Sequence, residues 1–331
     1  MKKTFCLKTV ALFTVALIFV SCMPRKYTAQ NFLLFDTDSV IVGYEESKAD
    51  FDDESNKLYE KLEYYDKLFD IYNEYNGLAN LKTVNDNAGV SPVEVDDEII
   101  ELIDFAKNMY EITNGKVNIA MGSVLKIWHD FREGDGPVPE KTELIEAEKH
   151  TDIDSIIVDR ENSTVYISDP LCSIDVGAVA KGWSCEKIAK EAEKDGKSGY
   201  GISIGGNVRV TGEKPDGAWE IGIRNPKAEE GGSIKTVEIS NGAAVTSGTY
   251  IRYREVDGVC YHHIIDPGTL FPSDRYLSVT VIYEDSGVAD ALSTALFNMT
   301  EEEGRNVISV LENCEVIWIY PDMKIIDTSE K

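Results

Sequence analysis

Most side chains of this sequence that could do chemistry fall between Tyr261 and Thr294, in two short groups. The first is Tyr261-His262-His263-Ile264-Ile265-Asp266-Pro267, and the second is Asp290-Ala291-Leu292-Ser293-Thr294. Asp290 and Thr294 are four apart in a stretch of helical character. They share one face about a turn apart, where two oxygens can reach a single hard cation such as Mg²⁺. The same spacing also serves an ordinary first helical turn with a capping group. Adjacent histidines in an extended segment point to opposite faces, so His262 and His263 cannot both line one pocket. Between the groups, Leu277 to Tyr283 alternates β-branched residues and reads as a strand buried on at least one face. That strand ties both groups to one scaffold.

The elements that must position them are spread along the whole chain. Ile174-Asp175-Val176-Gly177-Ala178-Val179-Ala180-Lys181-Gly182 ends a strand and opens a helix to about Lys194. Small residues at such a junction bring free N–H groups and a helix dipole to any bound phosphate, and Lys181 adds a cation. The order of a Walker A loop is missing. Gly201 to Asn207 is a strand ending in a Gly205-Gly206 turn, which lets a ligand pass close to backbone. Asn118 to Trp128 combines a short extended run with a helical start. A strand is expected over 32–44, an amphipathic helix over 52–75 with Tyr72 on its apolar side, and a second helix over 96–113. A hairpin follows over 155–169, then strands near 219–223, 235–239, 243–247 and 250–255. With no repeat and no linker, this reads as one interwoven α+β domain from about residue 31 to 328.

The chain has 331 residues, 43% of them hydrophobic, enough for a large packed core, and a formal charge of −26. That charge argues against nucleic acid or anionic lipid as an electrostatic partner. Lys2, Lys3 and Lys8 precede an apolar run from Val10 to Val20, too short to span a bilayer comfortably, and Ser21-Cys22 follows. This resembles a bacterial lipoprotein signal over 1–21, with Phe19 where leucine is usual. Cleavage would leave acylated Cys22 on a tether over 22–30 and take the charge to about −29. The expected location is the outer face of the cytoplasmic membrane. Cys172, Cys185, Cys260 and Cys314 show no C-x-x-C and no metal-like spacing.

Taken in order, Asp175-Val-Gly-Ala-Val-Ala-Lys-Gly182, Ser203-Ile-Gly-Gly-Asn207, Ser247-Gly248 with Tyr250, His262-His-Ile-Ile-Asp-Pro267 and Ala289-Asp-Ala-Leu-Ser-Thr294 resemble the ApbE family of FAD:protein FMN transferases. The resemblance covers nearly the whole mature chain. It implies a tunnelling-type (T-fold) α+β fold, FAD held in a cleft, and Mg²⁺ on its diphosphate. It also implies transfer of FMN from FAD to a Ser or Thr hydroxyl of a flavin-carrying redox subunit, with release of AMP. By that resemblance the side chains of Asp290 and Thr294 and the carbonyl of Ala178 hold the metal. Tyr72, Asn118, Asp175 and Lys181 line the FAD site with Gly205 and Gly206. His263 takes the proton from the acceptor hydroxyl, with Asp266 able to orient it. Histidine suits that task because its ordinary pKa is about 6.5. Oxygen-only ligands suit Mg²⁺ better than zinc.

Two departures stand out. Gly268-Thr269 follows Asp266-Pro267 where the family has Thr-Gly, and Phe35-Asp36-Thr37 stands where many members have Met-Gly-Thr. An FAD pyrophosphatase that releases AMP and free FMN would need the same residues, and a non-catalytic flavin-binding lipoprotein would not need the histidine and metal set. The chain contains no Asp-x-x-Ser/Thr-Gly-Ala-Ser/Thr acceptor pattern of its own, so the acceptor is expected to be another polypeptide.

Overall fold

The fold begins earlier than the sequence pattern suggests. In the computed structural model, which describes residues 24–228 and 231–330, Arg25–Asn31 form strand β1, antiparallel to β2 (Ser39–Glu45). Residues 25–30 therefore belong to a sheet and not to a tether. Tyr27 and Ala29 alternate onto the core, and Tyr27 stacks on Phe51 at 5.7 Å. The expected strand over 32–44 is broken at Leu34–Asp36, where Phe35 and Asp36 take left-handed φ values of 53° and 52°. The signal segment and Cys22 lie outside the described residues.

Ser47 caps helix α1 (Lys48–Phe69) by accepting the Asp50 N–H, and Leu58, Leu62, Tyr65 and Leu68 bury its apolar face. The helix stops before Tyr72. Asp70 turns extended, and its carboxylate accepts the N–H groups of Tyr72 and Asn73, which ends the helix and releases Tyr72 from it. Next come α2 (Leu81–Asp86), β3 (Val93–Glu94), α3 (Asp97–Ile112), α4 (Gly122–Glu133) and α5 (Lys141–Glu148). The expected hairpin forms as β4 (Ile156–Asp159) and β5 (Thr164–Ile167), joined by β3 in a small sheet. The approach to α6 (Ala180–Lys194) is not a regular strand. It is an extended segment fixed by the Asn85 side chain, which bonds both the N–H and the carbonyl of Ile174.

The remaining strands are β6 (Tyr200–Ile204), β7 (Asn207–Thr211), β8 (Trp219–Arg224), β9 (Ser233–Ile239), β10 (Gly242–Gly248), β11 (Tyr253–Val256), β12 (Val259–His262) and β13 (Ser278–Tyr283). Then follow α7 (Ser286–Phe297), α8 (Glu301–Ile308), β14 (Glu315–Ile319) and β15 (Ile325–Asp327). An eight-stranded antiparallel sheet runs in the order β1-β2-β6-β7-β10-β13-β14-β15. Helices α1, α6 and α7 cover one face. The β8–β9 hairpin covers the other, through Ile239 against Val210 and Ala244 and through Ile223 against Ile317 and Ile319. Strand β13 sits inside this sandwich, as its composition suggests.

A second apolar cluster decides where the site lies. Val124, Trp128 and Phe131 of α4 pack with Leu144, Ile265 and Leu270. Trp128 donates from Nε1 to the Leu270 carbonyl at 2.8 Å and stacks on Tyr261. Helix α4 is thereby fastened to the segment after β12. No helix among the described residues is long and apolar enough to cross a membrane.

Candidate active site

Helices α6 and α7 cross so closely that Gly182 admits no side chain. A Cβ there would lie 2.3 Å from Asp290 Cβ and 2.5 Å from the Ser286 carbonyl oxygen. Asp290 Oδ2 accepts the Gly182 N–H at 2.8 Å. In a regular helix that N–H would reach back four residues, so the Ala178 carbonyl is left with no backbone donor among the described residues. One turn along α7, Thr294 Oγ1 lies 3.3 Å from Ser247 Oγ, which is itself 2.8 Å from Ser293 Oγ. A buried carboxylate, an open carbonyl and a hydroxyl thus come from the motifs that the sequence singled out.

Burial pushes the Asp290 pKa up, and Lys181 Nζ at 3.9 Å with the Gly182 N–H only partly offset this. A buried carboxylate with so little compensation is one that a cation would relieve. Among the described residues no three His, Cys, Asp or Glu side chains converge as a metal cluster, so a cation here rests on one carboxylate and neutral oxygens. That donor set fits Mg²⁺. The crossing is held by Glu186 of α6, which accepts from Arg209 Nε at 2.9 Å and from the Ser286 N–H at 2.7 Å, while Ser286 Oγ and Asn207 Oδ1 lie 2.6 Å apart.

The two histidines part as expected. His262 is committed to structure: Nε2 donates to the Ser273 carbonyl at 2.7 Å and Nδ1 accepts the Ile264 N–H. His263 Nδ1 is buried with no hydrogen-bond partner among the described residues. Its pKa is pushed down to about 3, first by burial and then by Lys181, His262, Arg132 and Arg252. An imidazole there is neutral, not poised near 6.5 as its type alone suggests.

Asp266 has partners other than the expected one. Its Oδ1 takes Lys116 Nζ at 2.8 Å and the Gly268 N–H at 2.9 Å, and it makes no hydrogen bond to His263. It pins the loop that carries His263. Asn118 is also occupied, donating to the Thr151 carbonyl at 2.8 Å and accepting the Ala120 N–H at 2.9 Å, so it shapes the turn into α4. Gly205 and Gly206 form the two-residue β6–β7 hairpin turn with φ of 56° and 92°. Gly205 also packs against Thr37, where a Cβ would meet Oγ1 at 2.7 Å.

Tyr72 is 55% exposed and lies against His129 of α4, with ring centroids 5.1 Å apart. Its hydroxyl pKa rises to about 12 through burial and the charge of Asp175. Tyr75 instead bonds Asp70. Tyr72 is therefore the open aromatic. Asp175 accepts the Gly177 N–H at 2.9 Å, and burial pushes its pKa up against the opposing charges of Arg132, His129 and Lys181.

His129, Arg132 and Arg252 escaped the sequence reading. The first two lie three apart on α4, beside the buried stripe of Val124, Trp128 and Phe131, a weak signal. Arg252 carried none. Its guanidinium donates to the carbonyls of Phe35 and Asp36, at 3.3 and 3.1 Å.

The four described cysteines are free. The chain matches the ApbE family profile over residues 35–318. It is 30% identical over 276 residues to an FAD:protein FMN transferase of Klebsiella pneumoniae, covering 83% of this chain and 84% of that protein. It is 31% identical over 254 residues to one of Vibrio cholerae, covering 73% and 74%. The crystal structure of the ApbE protein of Thermotoga maritima superposes with a TM-score of 0.80 at 31% identity, covering 91% of this chain and 96% of that one. The flavin transferase ApbE of Vibrio cholerae gives 0.77 at 26%, covering 92% and 97%. The single interwoven domain of mixed helix and sheet is thus the ApbE fold, and the chain belongs to the ApbE family.

Proposed function

We propose that this chain transfers FMN from FAD to a Ser or Thr hydroxyl of another protein, with Mg²⁺ as cofactor. The acceptor oxygen forms a bond to the FMN phosphorus, the diphosphate P–O bond to AMP breaks, and the hydroxyl proton passes to His263. One observation carries the reading. In a chain of net charge −26, the charges of Lys181, Arg132 and Arg252 all act on His263, whose Nδ1 is buried without a partner, and Lys181 Nζ also lies 3.9 Å from the Asp290 carboxylate. Cations so placed suit a diphosphate, and a neutral imidazole can accept a proton.

Bound at Asp290, Thr294 and the Ala178 carbonyl, Mg²⁺ would neutralise charge on the diphosphate oxygens. Tyr72 offers its open face to an aromatic ring of FAD. A bound diphosphate would offset the three cations and draw the His263 pKa upward, toward a useful base. The test is to incubate the chain with FAD, Mg²⁺ and a small carrier domain bearing the acceptor pattern, then resolve the products. Labelled domain plus AMP supports transfer. AMP and free FMN with unlabelled domain would make the chain a pyrophosphatase instead.

The basic residues before Val10 and the Ser21-Cys22 pair support a lipid anchor at Cys22 and work at the outer face of the cytoplasmic membrane, where flavin-carrying redox subunits would be its partners. Cys22→Ala should then move the chain from the membrane to the soluble fraction. Retention on the membrane would refute the anchor.

A further inference from the structure

One exposed ring in this fold is held twice. Tyr72 stands mostly in solvent, yet the Asp70 carboxylate fixes its backbone by accepting the N–H groups of Tyr72 and Asn73 at 2.6 and 3.0 Å. Its side chain is fixed separately, by the half-buried ring of His129 with centroids 5.1 Å apart and planes 30° apart. A side chain that stays in solvent adds little to the fold by being ordered so fully. A flat ligand, by contrast, gains when the ring it stacks on is ordered beforehand.

Helix α4, which carries His129, is clamped to the segment that leads into His263. Tyr261 packs on Trp128 and Phe131 of α4, with ring centroids 5.9 and 5.5 Å apart. The Phe131 carbonyl accepts from Arg254 Nη1 of β11 at 2.6 Å, and Trp128 Nε1 donates to the Leu270 carbonyl. One short helix therefore touches the open aromatic through His129 and the segments on both sides of His263 through the residues next to it.

We propose that His129 is a positioning residue for FAD: it holds Tyr72 as one wall of the site, so that a flat ring of FAD stacked on Tyr72 lies at a distance from His263 set by α4. This rests on the reading of FAD as substrate with Tyr72 against one of its rings. His129 acts through Tyr72 and not on the reacting atoms.

The test uses the full chain with Mg²⁺ and no acceptor, as wild type, Tyr72→Leu, His129→Ala and His129→Phe, titrated with FAD by calorimetry and melted without it. The expected result is a Kd for FAD raised about fivefold in His129→Ala and at least as much in Tyr72→Leu, and restored to within about twofold of wild type in His129→Phe. Tm should stay within about 2 °C of wild type in both His129 variants, because the contact lies at the surface. Separate titrations with FMN and ADP name the ring: the same His129-dependent loss with FMN assigns the flavin ring, with ADP the adenine, and with neither it overturns the stack. Unchanged FAD affinity in His129→Ala, or a phenylalanine variant as weak as the alanine one, overturns the proposal and leaves the transfer reading intact. A binding loss that follows a fall in Tm overturns it too, giving His129 to the fold alone. If FAD binding depends on His129 as expected but no carrier domain gains FMN, the positioning role stands and the transfer reading falls.

Discussion

Asp290 Oδ2 accepts a hydrogen bond from the Gly182 N–H at 2.8 Å, and this bond joins α7 to the first turn of α6. Gly182→Ala would force Cβ into Asp290 and the Ser286 carbonyl. The expected cost is ~3 kcal/mol, a fall of roughly 6–12 °C in Tm for a domain of this size, with loss of activity. Gly206→Ala meets open space and suffers only its positive φ, so it should cost ~1 kcal/mol. Thermal unfolding of the pair checks this; equal losses would contradict the packing argument.

Glu186 is the buried charge that holds the same crossing, between Arg209 and the Ser286 amide. Glu186→Gln leaves the Arg209 guanidinium, itself buried, with Glu193 as its remaining carboxylate. A loss of ~3 kcal/mol is expected, read as a lower denaturation midpoint at unchanged slope. A neutral outcome would show that Glu193 alone suffices.

His263 and Asp266 should separate kinetically. His263→Ala removes the proposed proton acceptor, so kcat should fall by roughly 10²-fold or more. Asp266→Asn loses the ion pair to Lys116 but can still accept the Gly268 N–H, so kcat should fall less than about tenfold while Tm drops. Equal losses in kcat would restore Asp266 as a partner of His263.

The lowered pKa of the His263 imidazole also predicts a pH dependence. The folded pKa of His263, about 3, lies below its unfolded value near 6.5, so the unfolded chain takes up this proton first. The stability of the neutral site is fully present above pH 6.5 and is lost as pH falls toward 3, at up to about 1.4 kcal/mol per pH unit. In metal-free protein, His263→Gln should flatten the denaturation midpoint between pH 6 and 4 by up to that slope. Parallel profiles for the two proteins would place the protonation elsewhere.

Much of this was legible in the sequence, for identifiable reasons. Period and caps mark the helix carrying Asp290 and Thr294, and alternation marks β13, because both patterns are local. The Gly205-Gly206 turn is local too, although its glycines serve the hairpin and the approach of Thr37. Strand β1 was hidden because Arg25 to Asn31 is largely polar, and its place comes from pairing with β2. The early end of α1 was hidden because the apolar spacing runs on through Tyr72, while the stop depends on the Asp70 carboxylate. Partners far apart in sequence, such as Lys116 with Asp266 or Arg252 with Phe35, leave no periodic trace. They alone decide that Asp266 is a loop anchor and that Arg252 meets the turn at Phe35.

In the proposed reaction His263 receives the proton of an acceptor hydroxyl as that oxygen bonds to the FMN phosphorus. The most direct measurement is the intact mass of a carrier domain bearing the acceptor pattern, after incubation with FAD, Mg²⁺ and either wild type or His263→Ala. A gain of one FMN with wild type and none with the variant is the expected result. An equal gain with both, or no gain with wild type while AMP and free FMN accumulate, would contradict it.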